Sequence, residues 1–336
     1  MTTIRKLFCL ILLYHLRYRT TYANRNNIEA QASILGYDNT VQISPIHISF
    51  SGWRYSAHSY ALVCQNFMLH FIRRMESNNT ILSFQHIPDY WGRETKGIFN
   101  KKDEELLSSM RMRSREDLPD MILQFSYPID FSTAYSTNGK PIKKIVHVTT
   151  EYEVTNDMKT LNSPDWSNPG DVMLMTPSKW SANILKDLGG VPENKIFVLP
   201  HGFDPTTFYP ISNKTHKNEC KKFRKKLGIP PESFVYLHIS AGTPNKNIPF
   251  IADAFKRVRA KHPTAVLVLK TISALYQKHK WTENGIKAYS WADDELIWLD
   301  DELPNSRVAL LYRCSNVYVS PYSSEGFNLP VLESMA

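Results

Sequence analysis

From Ile46 onward the chain alternates between two kinds of pattern. Short runs crowd β-branched, aromatic and aliphatic residues together: "IHISFS", "ILSFQH", "DMILQFSY", "KKIVHVTTEY", "DVMLMTP" and "KIFVLPHGF". Each predicts a strand, since neighbouring side chains of a strand face opposite ways and a buried sheet needs both sets apolar. Between several of them the apolar positions recur every three or four residues, which predicts helices. In "SYALVCQNFMLHFIRRM" Tyr60, Val63, Phe67, Phe71 and Met75 share one face. "KWSANILKDLGG" follows a capping Ser178 and stops at Gly189.

A Pro-rich and then Lys-rich stretch from Pro205 to Lys226 reads as a linker. The alternation then restarts with strand "FVYLHIS", helix "IPFIADAFKRVRAKHP", strands "AVLVLK" and "ELIWLD", helix "NSRVALLYRCS" and strand "VYVSP". Strand–helix alternation of this kind predicts an α/β fold with doubly wound, mostly parallel sheets. The expected organisation is an N-terminal extension over 1–45, a first domain over 46–204, a linker over 205–228 and a second domain over 229–336. Two such domains place a cleft between the carboxyl ends of their strands, where both can face one ligand.

Composition adds bounds. At 336 residues and 42% hydrophobic the chain has enough apolar material for two ordinary cores. The net charge of +8 favours anionic partners, but much of it lies in "KTHKNECKKFRKKLG", Lys214–Gly228, which also suits a solvated helix face. Cys9, Cys64, Cys220 and Cys314 show no metal-ligand spacing, so free thiols and no zinc are expected. Arg5 and Lys6 precede an apolar run, Leu7–Leu16, which is too short to span a bilayer and fits either a signal peptide's core or a poorly ordered extension. The location expected is cytoplasmic, with possible membrane association, or the secretory pathway if residues 1–23 act as a signal; only then do the sequons at Asn78 and Asn213 matter.

Two motifs carry chemistry. "GTPNKN", Gly242–Asn247, joins a strand to a helix, so backbone amides and the Lys246 ammonium can converge on a phosphate; the same residues also suit a plain turn. "YSSEGFNLPVLE" follows the last strand, with Gly326 allowing close backbone approach and Pro330 suited to a first helical turn. Glu325 and Glu333 then line the mouth of one crevice, where carboxylates accept hydrogen bonds from the paired hydroxyls of a sugar or ribose. No G-x-G-x-x-G follows a predicted strand, which disfavours a nicotinamide-dependent dehydrogenase.

"LPNSRVALLYRCSNVYVSPYSSEGFNLPVLESMA" resembles the donor-binding region of family 4 (group 1) glycosyltransferases of the GT-B fold, marked by a glutamate, seven residues and a second glutamate. "TPSKWSANILKDLGGVPENKIFVLPHGFDPTTFYP" is similar to that family's interdomain segment, with Gly202, Phe203, Asp204, Phe208 and Pro210 at the marking positions. "SGWRYSAHSYALVCQNF" resembles the first strand, loop and helix of a subgroup. The resemblance covers roughly residues 46–336 and implies two Rossmann-like domains around a cleft.

Its further implications concern single residues. Glu325 contacts the donor sugar and is the catalytic candidate; the amides of Gly326, Phe327 and Asn328 lie near the sugar and diphosphate. Glu333 holds the ribose diol, Lys246 neutralises the leaving diphosphate, and Gly52, in the loop Ser51-Gly52-Trp53, approaches the phosphates from the other domain. His147 and Glu151 fall on the acceptor side, with a structural role equally open for both. The implied chemistry is a retaining transfer from a nucleotide sugar to a glycan, lipid or protein acceptor, with no metal, no cofactor and no nucleic acid.

Two departures stand out. The arginine that the family places five or six residues before its phosphate lysine is missing, because the stretch reads Ser240, Ala241, Gly242. The sequence also stops three residues after Glu333, where relatives continue, so the second domain is expected to be incomplete. A non-catalytic nucleotide-sugar or glycan-binding scaffold is the alternative those departures leave open.

Overall fold

A computed structural model describes residues 45–75, 80–87, 95–114, 116–126, 129–151, 172–272, 290–292 and 295–336. The chain divides into two compact units, Met1–Ile46 and His47–Ala336, and both sheets described below lie in the second, apart from Ile46 at the edge of the first strand. The apolar run Leu7–Leu16, Cys9, Asn78 and the signal reading of residues 1–23 fall outside the described residues. Among the described residues no helix is long and apolar enough to cross a membrane.

In the first half the elements are β1 (Ile46–Gly52), α1 (Ser59–Met75), β2 (Thr80–His86), α2 (Lys101–Ser109), β3 (Arg111–Met112), β4 (Met121–Phe125), β5 (Ala134–Tyr135), β6 (Pro141–His147), β7 (Val172–Thr176), α3 (Lys179–Asp187) and β8 (Ile196–Val198). The sheet runs β3-β2-β1-β4-β6-β7-β8, with β5 added antiparallel on β6. Chain order reverses between β1 and β4, which are paired in parallel from Ile48 opposite Met121 to Gly52 opposite Phe125. That reversal opens a crevice beyond their carboxyl ends. The face predicted for α1 is buried at Tyr60, Val63, Phe67 and Phe71, and Ser178 caps α3 by accepting from the Ser181 amide at 3.0 Å.

In the second half follow α4 (Lys214–Lys226), β9 (Phe234–Ile239), α5 (Ile248–Lys261), β10 (Ala265–Lys270), β11 (Leu296–Leu299), α6 (Asn305–Arg313), β12 (Val317–Tyr318) and α7 (Leu329–Ser334). Their order in the sheet is β11-β10-β9-β12, all parallel, with the reversal between β9 and β12. The unbroken apolar run of β10 is explained by burial on both faces. Val266 and Val268 pack with Val235, Leu237 and Leu311 on one side, while Ala265, Leu267 and Leu269 pack with Ile248, Ile251 and Phe255 on the other.

Two expectations are corrected here. The Lys-rich half of the expected linker is the helix α4, capped by Asn213 accepting from the His216 amide at 2.9 Å; Cys220 is buried and Phe223 packs against the second core, while the lysines face water. The solvated helix face read for Lys214–Gly228 is thus what forms, inside the stretch also read as linker. Nor are all the cysteines free thiols: Cys220 and Cys314 form a disulfide between α4 and the end of α6, and Cys64 is free and buried. Spacing could not show that pair, because a cystine joins residues that are close in space and here 94 apart in sequence. The helix α2 and the short strands β3 and β5 also went unpredicted.

Candidate active site

The loop after β9 and the loop after β12 meet at the second sheet's chain reversal. A single turn of 3-10 helix, Pro244–Lys246, leads into α5 through Asn247, whose left-handed backbone (φ 54°) lets its side chain donate to the Pro321 carbonyl at 2.8 Å. The Ser323 amide donates to the Asn245 carbonyl at 3.0 Å, and the Asn245 side chain donates to the Ser324 carbonyl at 3.1 Å. These bonds knit the two loops into one wall. The amides of Lys246 and Asn247 close the turn by donating to the Thr243 and Pro244 carbonyls and so are not turned toward a phosphate; the motif's positive charge is the Lys246 ammonium.

Lys246 is 6% exposed and paired with the Glu325 carboxylate. The Tyr322 ring lies 4.6 Å beneath its ammonium, and Tyr322 is itself anchored by donating to the Ile239 carbonyl at 2.7 Å. Burial raises the pKa of Glu325 above the ordinary carboxylate range, Lys246 pulls it back, and the Gly326 amide donates a hydrogen bond to the same carboxylate. A second carboxylate reaches the lysine from the other half: Glu151 Oε2 lies 3.8 Å from Lys246 Nζ and accepts from Asn245 Nδ2 at 3.1 Å.

Glu333 and Glu325 both bear on Tyr318, whose phenol is held above its usual range first by burial. Tyr312 donates to Glu333 Oε2 at 3.1 Å. Burial raises the Glu333 pKa to about 7, against the opposing pull of Tyr312 and Lys270. Lys270, 3% exposed at the end of β10, is pushed down to about 8 by burial, with Glu302, Asp300, Asp301 and Glu333 opposing. The segment after β8 supports this wall. Asp204 caps its own turn by accepting from Thr206 and Thr207, which seats buried Phe208 with its ring 6.1 Å from that of Tyr312. A cavity of about 220 Å³ opens there between Phe208, Pro210, Tyr312, Arg313 and Glu333.

The remaining expected residues take varied places. Asn328 caps α7 from a left-handed conformation (φ 68°) and donates to Ser320 Oγ at 2.9 Å. Phe327 meets the His201 ring edge-on at 4.9 Å, and His201 lies 5.1 Å from His147. His147 is 2% exposed, packed by Tyr60 and Phe125, and neither ring nitrogen has a hydrogen-bond partner. Burial, assisted by His201, holds it neutral with a pKa well below the usual histidine value. Gly52 is a buried strand residue whose missing side chain leaves room for the Phe125 carbonyl, 2.3 Å from where a Cβ would stand. That packing accounts for the glycine without a ligand.

Gly326 is explained differently from the expectation that a ligand approaches it. A Cβ there would fall 1.8 Å from Thr149 Oγ1, so the space beside Gly326 admits the loop after β6 from the first half. The structure thus brings together Lys246, Glu325, Gly326 and Glu151, links Glu333 to Glu325 through their common effect on Tyr318, and leaves Gly52 in the first sheet. Asn245, Tyr322, Tyr312 and Lys270 were not singled out in the sequence; Asn245 adjoins Lys246 and Tyr322 precedes the glutamate loop, but Tyr312 and Lys270 gave no local signal. At the missing arginine, Ser240 forms a neutral turn, bonded to His238 Nε2 at 2.9 Å and accepting from the Gly242 amide at 3.3 Å. Among the described residues no three His, Cys, Asp or Glu side chains are grouped to hold a metal ion.

Residues 220–336 match the family model described as "Glycosyl transferases group 1". That segment is similar to group 1 glycosyltransferases. It begins within α4 and contains Lys246, Glu325 and Glu333. No curated protein sequence matches the chain. Among solved structures, the chain is similar to a glycosyltransferase from Rickettsia africae at 14% identity and a TM-score of 0.61, covering 87% of this chain and 77% of that one. It is similar to HepE of Anabaena, solved in complex with UDP and glucose, at 11% identity and a TM-score of 0.57, covering 86% of this chain and 77% of that one. The catalytic domain of starch synthase IV from Arabidopsis thaliana, bound to ADP and acarbose, matches at 12% identity and a TM-score of 0.53, covering 87% and 81%. These likenesses cover most of the chain, and the fold is GT-B.

Proposed function

We propose that this protein is a retaining glycosyltransferase that moves a sugar from a nucleoside-diphosphate donor to the hydroxyl of a glycan, lipid or protein acceptor. One observation carries the reading: a buried lysine paired with the first glutamate of the two-glutamate motif, at the point where the loops of both halves converge. Lys246 places a positive charge where the donor's diphosphate departs, and a fixed charge in a partly dehydrated cleft stabilises that departure strongly. Glu325 accepts from the sugar's hydroxyls beside the reacting carbon. Glu333, presented by Tyr312, accepts from the ribose diol.

The acceptor oxygen attacks the anomeric carbon on the face the diphosphate leaves, its proton passes to the departing phosphate oxygen, and the configuration is retained. Holding both on one face is a matter of position, which the converging loops supply. Lys246 supplies the charge for which other enzymes recruit a metal, so no resident metal or cofactor enters this scheme. HepE and starch synthase IV, solved with UDP and ADP, support a nucleoside-diphosphate ligand for the shared fold.

The neutral Ser240 turn favours a second reading, a scaffold that binds nucleotide sugar without turnover. Mass spectrometry of reactions containing UDP, ADP and GDP sugars with oligosaccharide acceptors separates the two. Transfer or donor hydrolysis that disappears in Lys246→Met supports the enzyme; binding without product supports the scaffold.

A further inference from the structure

Glu151 has a place that donor recognition does not require. It belongs to the loop after β6 in the first half, yet its carboxylate reaches across to the donor-side lysine and asparagine of the second, at 3.8 and 3.1 Å. The approach is built in. Gly326 has no side chain where Thr149 enters, the Thr149 amide donates to Tyr60 Oη at 3.2 Å, and the Thr150 amide donates to Ser181 Oγ at 3.3 Å. Those contacts fix the loop two residues before Glu151 and set its carboxylate beside Lys246.

Lys246 therefore faces two carboxylates of unequal standing. Glu325 is on the lysine's own half and holds the Gly326 amide as well. Glu151 arrives from the opposite half with a side chain 42% exposed, and its hydrogen-bond donor is a neutral amide. One ammonium cannot compensate both and also a diphosphate, because like charges within about 4 Å repel by about 1 kcal/mol even at the dielectric constant of water.

Resting on the reading of Lys246 as the diphosphate's cation, we propose that Glu151 occupies the diphosphate's place in the ligand-free protein. It holds the two halves together, and the donor must displace it. Glu151 is thus an internal competitor for the donor's anion and a latch on the loop Val148–Glu151. Donor binding exchanges one carboxylate for a diphosphate at the same cation and frees that loop beside the acceptor side of the cleft.

Calorimetric titration of the full chain and of Glu151→Gln with UDP, ADP, GDP and inorganic pyrophosphate tests this. Glutamine keeps an oxygen for Asn245 but removes the charge, so affinity for the anions should rise about fivefold or more. Unchanged or weaker binding overturns the proposal. Hydrogen exchange of the Thr149 and Thr150 amides without any ligand gives an independent readout. They should exchange faster in Glu151→Gln than in the wild type, and equal rates overturn the latch. A wild type that binds none of the four anions refutes the proposed function, while the exchange comparison still decides the latch.

Discussion

Replacing Glu333 by glutamine separates its role toward the donor from its cost to the fold. Burial moves its pKa from the ordinary 4.5 to about 7, so the folded protein holds this proton more tightly than the unfolded chain does. Stability from this group is accordingly greatest below about pH 4.5 and falls as pH rises toward 7, the reverse of a salt-bridged carboxylate. A shift of that size corresponds to about 3 kcal/mol, which screening at a half-buried site reduces to about 2 kcal/mol. Glu333→Gln abolishes the titration. Urea unfolding from pH 4.5 to 8.5 should show the wild type losing about 2 kcal/mol relative to the variant, while Tyr312 keeps an acceptor in the glutamine. UDP or ADP binding should move oppositely. Wild-type affinity should climb between pH 6 and 8 as the carboxylate ionises, whereas the variant should bind about 10- to 100-fold more weakly at pH 8 with a flat profile, from loss of a charge-assisted bond of about 1.5–3 kcal/mol. Parallel stability curves, or wild-type affinity in the variant at pH 8, would refute the assignment of Glu333 as a half-buried ribose clamp.

Lys246→Met should reduce nucleoside-diphosphate affinity by about 10- to 100-fold and leave Glu325 without its cation, raising that carboxyl's pKa further; calorimetry and the pH dependence of residual binding read both. Phe208→Ala should destabilise the fold by about 3–5 kcal/mol in urea and weaken donor binding beyond that of a distant core variant, because Phe208 packs against the tyrosine that presents Glu333. Reducing the Cys220–Cys314 disulfide should lower stability by about 2–5 kcal/mol, because it removes a cross-link between α4 and α6; the double Ser variant should melt alike with and without reductant.

The sequence disclosed most of the second half's geometry because its signals are local. A doubly buried strand must be apolar throughout, as β10 is, and the stretch Tyr322–Glu333 carries its glycine and two-glutamate spacing within twelve residues. What it hid depends on contacts between distant segments. Tyr312 looks like one apolar position of α6 until Glu333 is found beside it, 21 residues later. Gly326 reads as room for a ligand, yet Thr149, from the other half, claims that room. Gly52 reads as a cleft loop, but strand pairing continues through it to Phe125. The charge of Lys214–Gly228 suggested a solvated helix face, but not that Cys220, Phe223 and Arg224 of α4 tie it to the end of α6.

Lys246 and Glu325 are proposed to hold a nucleoside-diphosphate sugar for transfer with retention. The most direct measurement is proton NMR of the linkage formed when the purified chain is given α-linked UDP, ADP or GDP sugars and an oligosaccharide acceptor, run beside Lys246→Met. An α-linked product from an α-linked donor is expected, with formation falling at least tenfold in the variant. A β-linked product, or equal product from wild type and Lys246→Met, would contradict it.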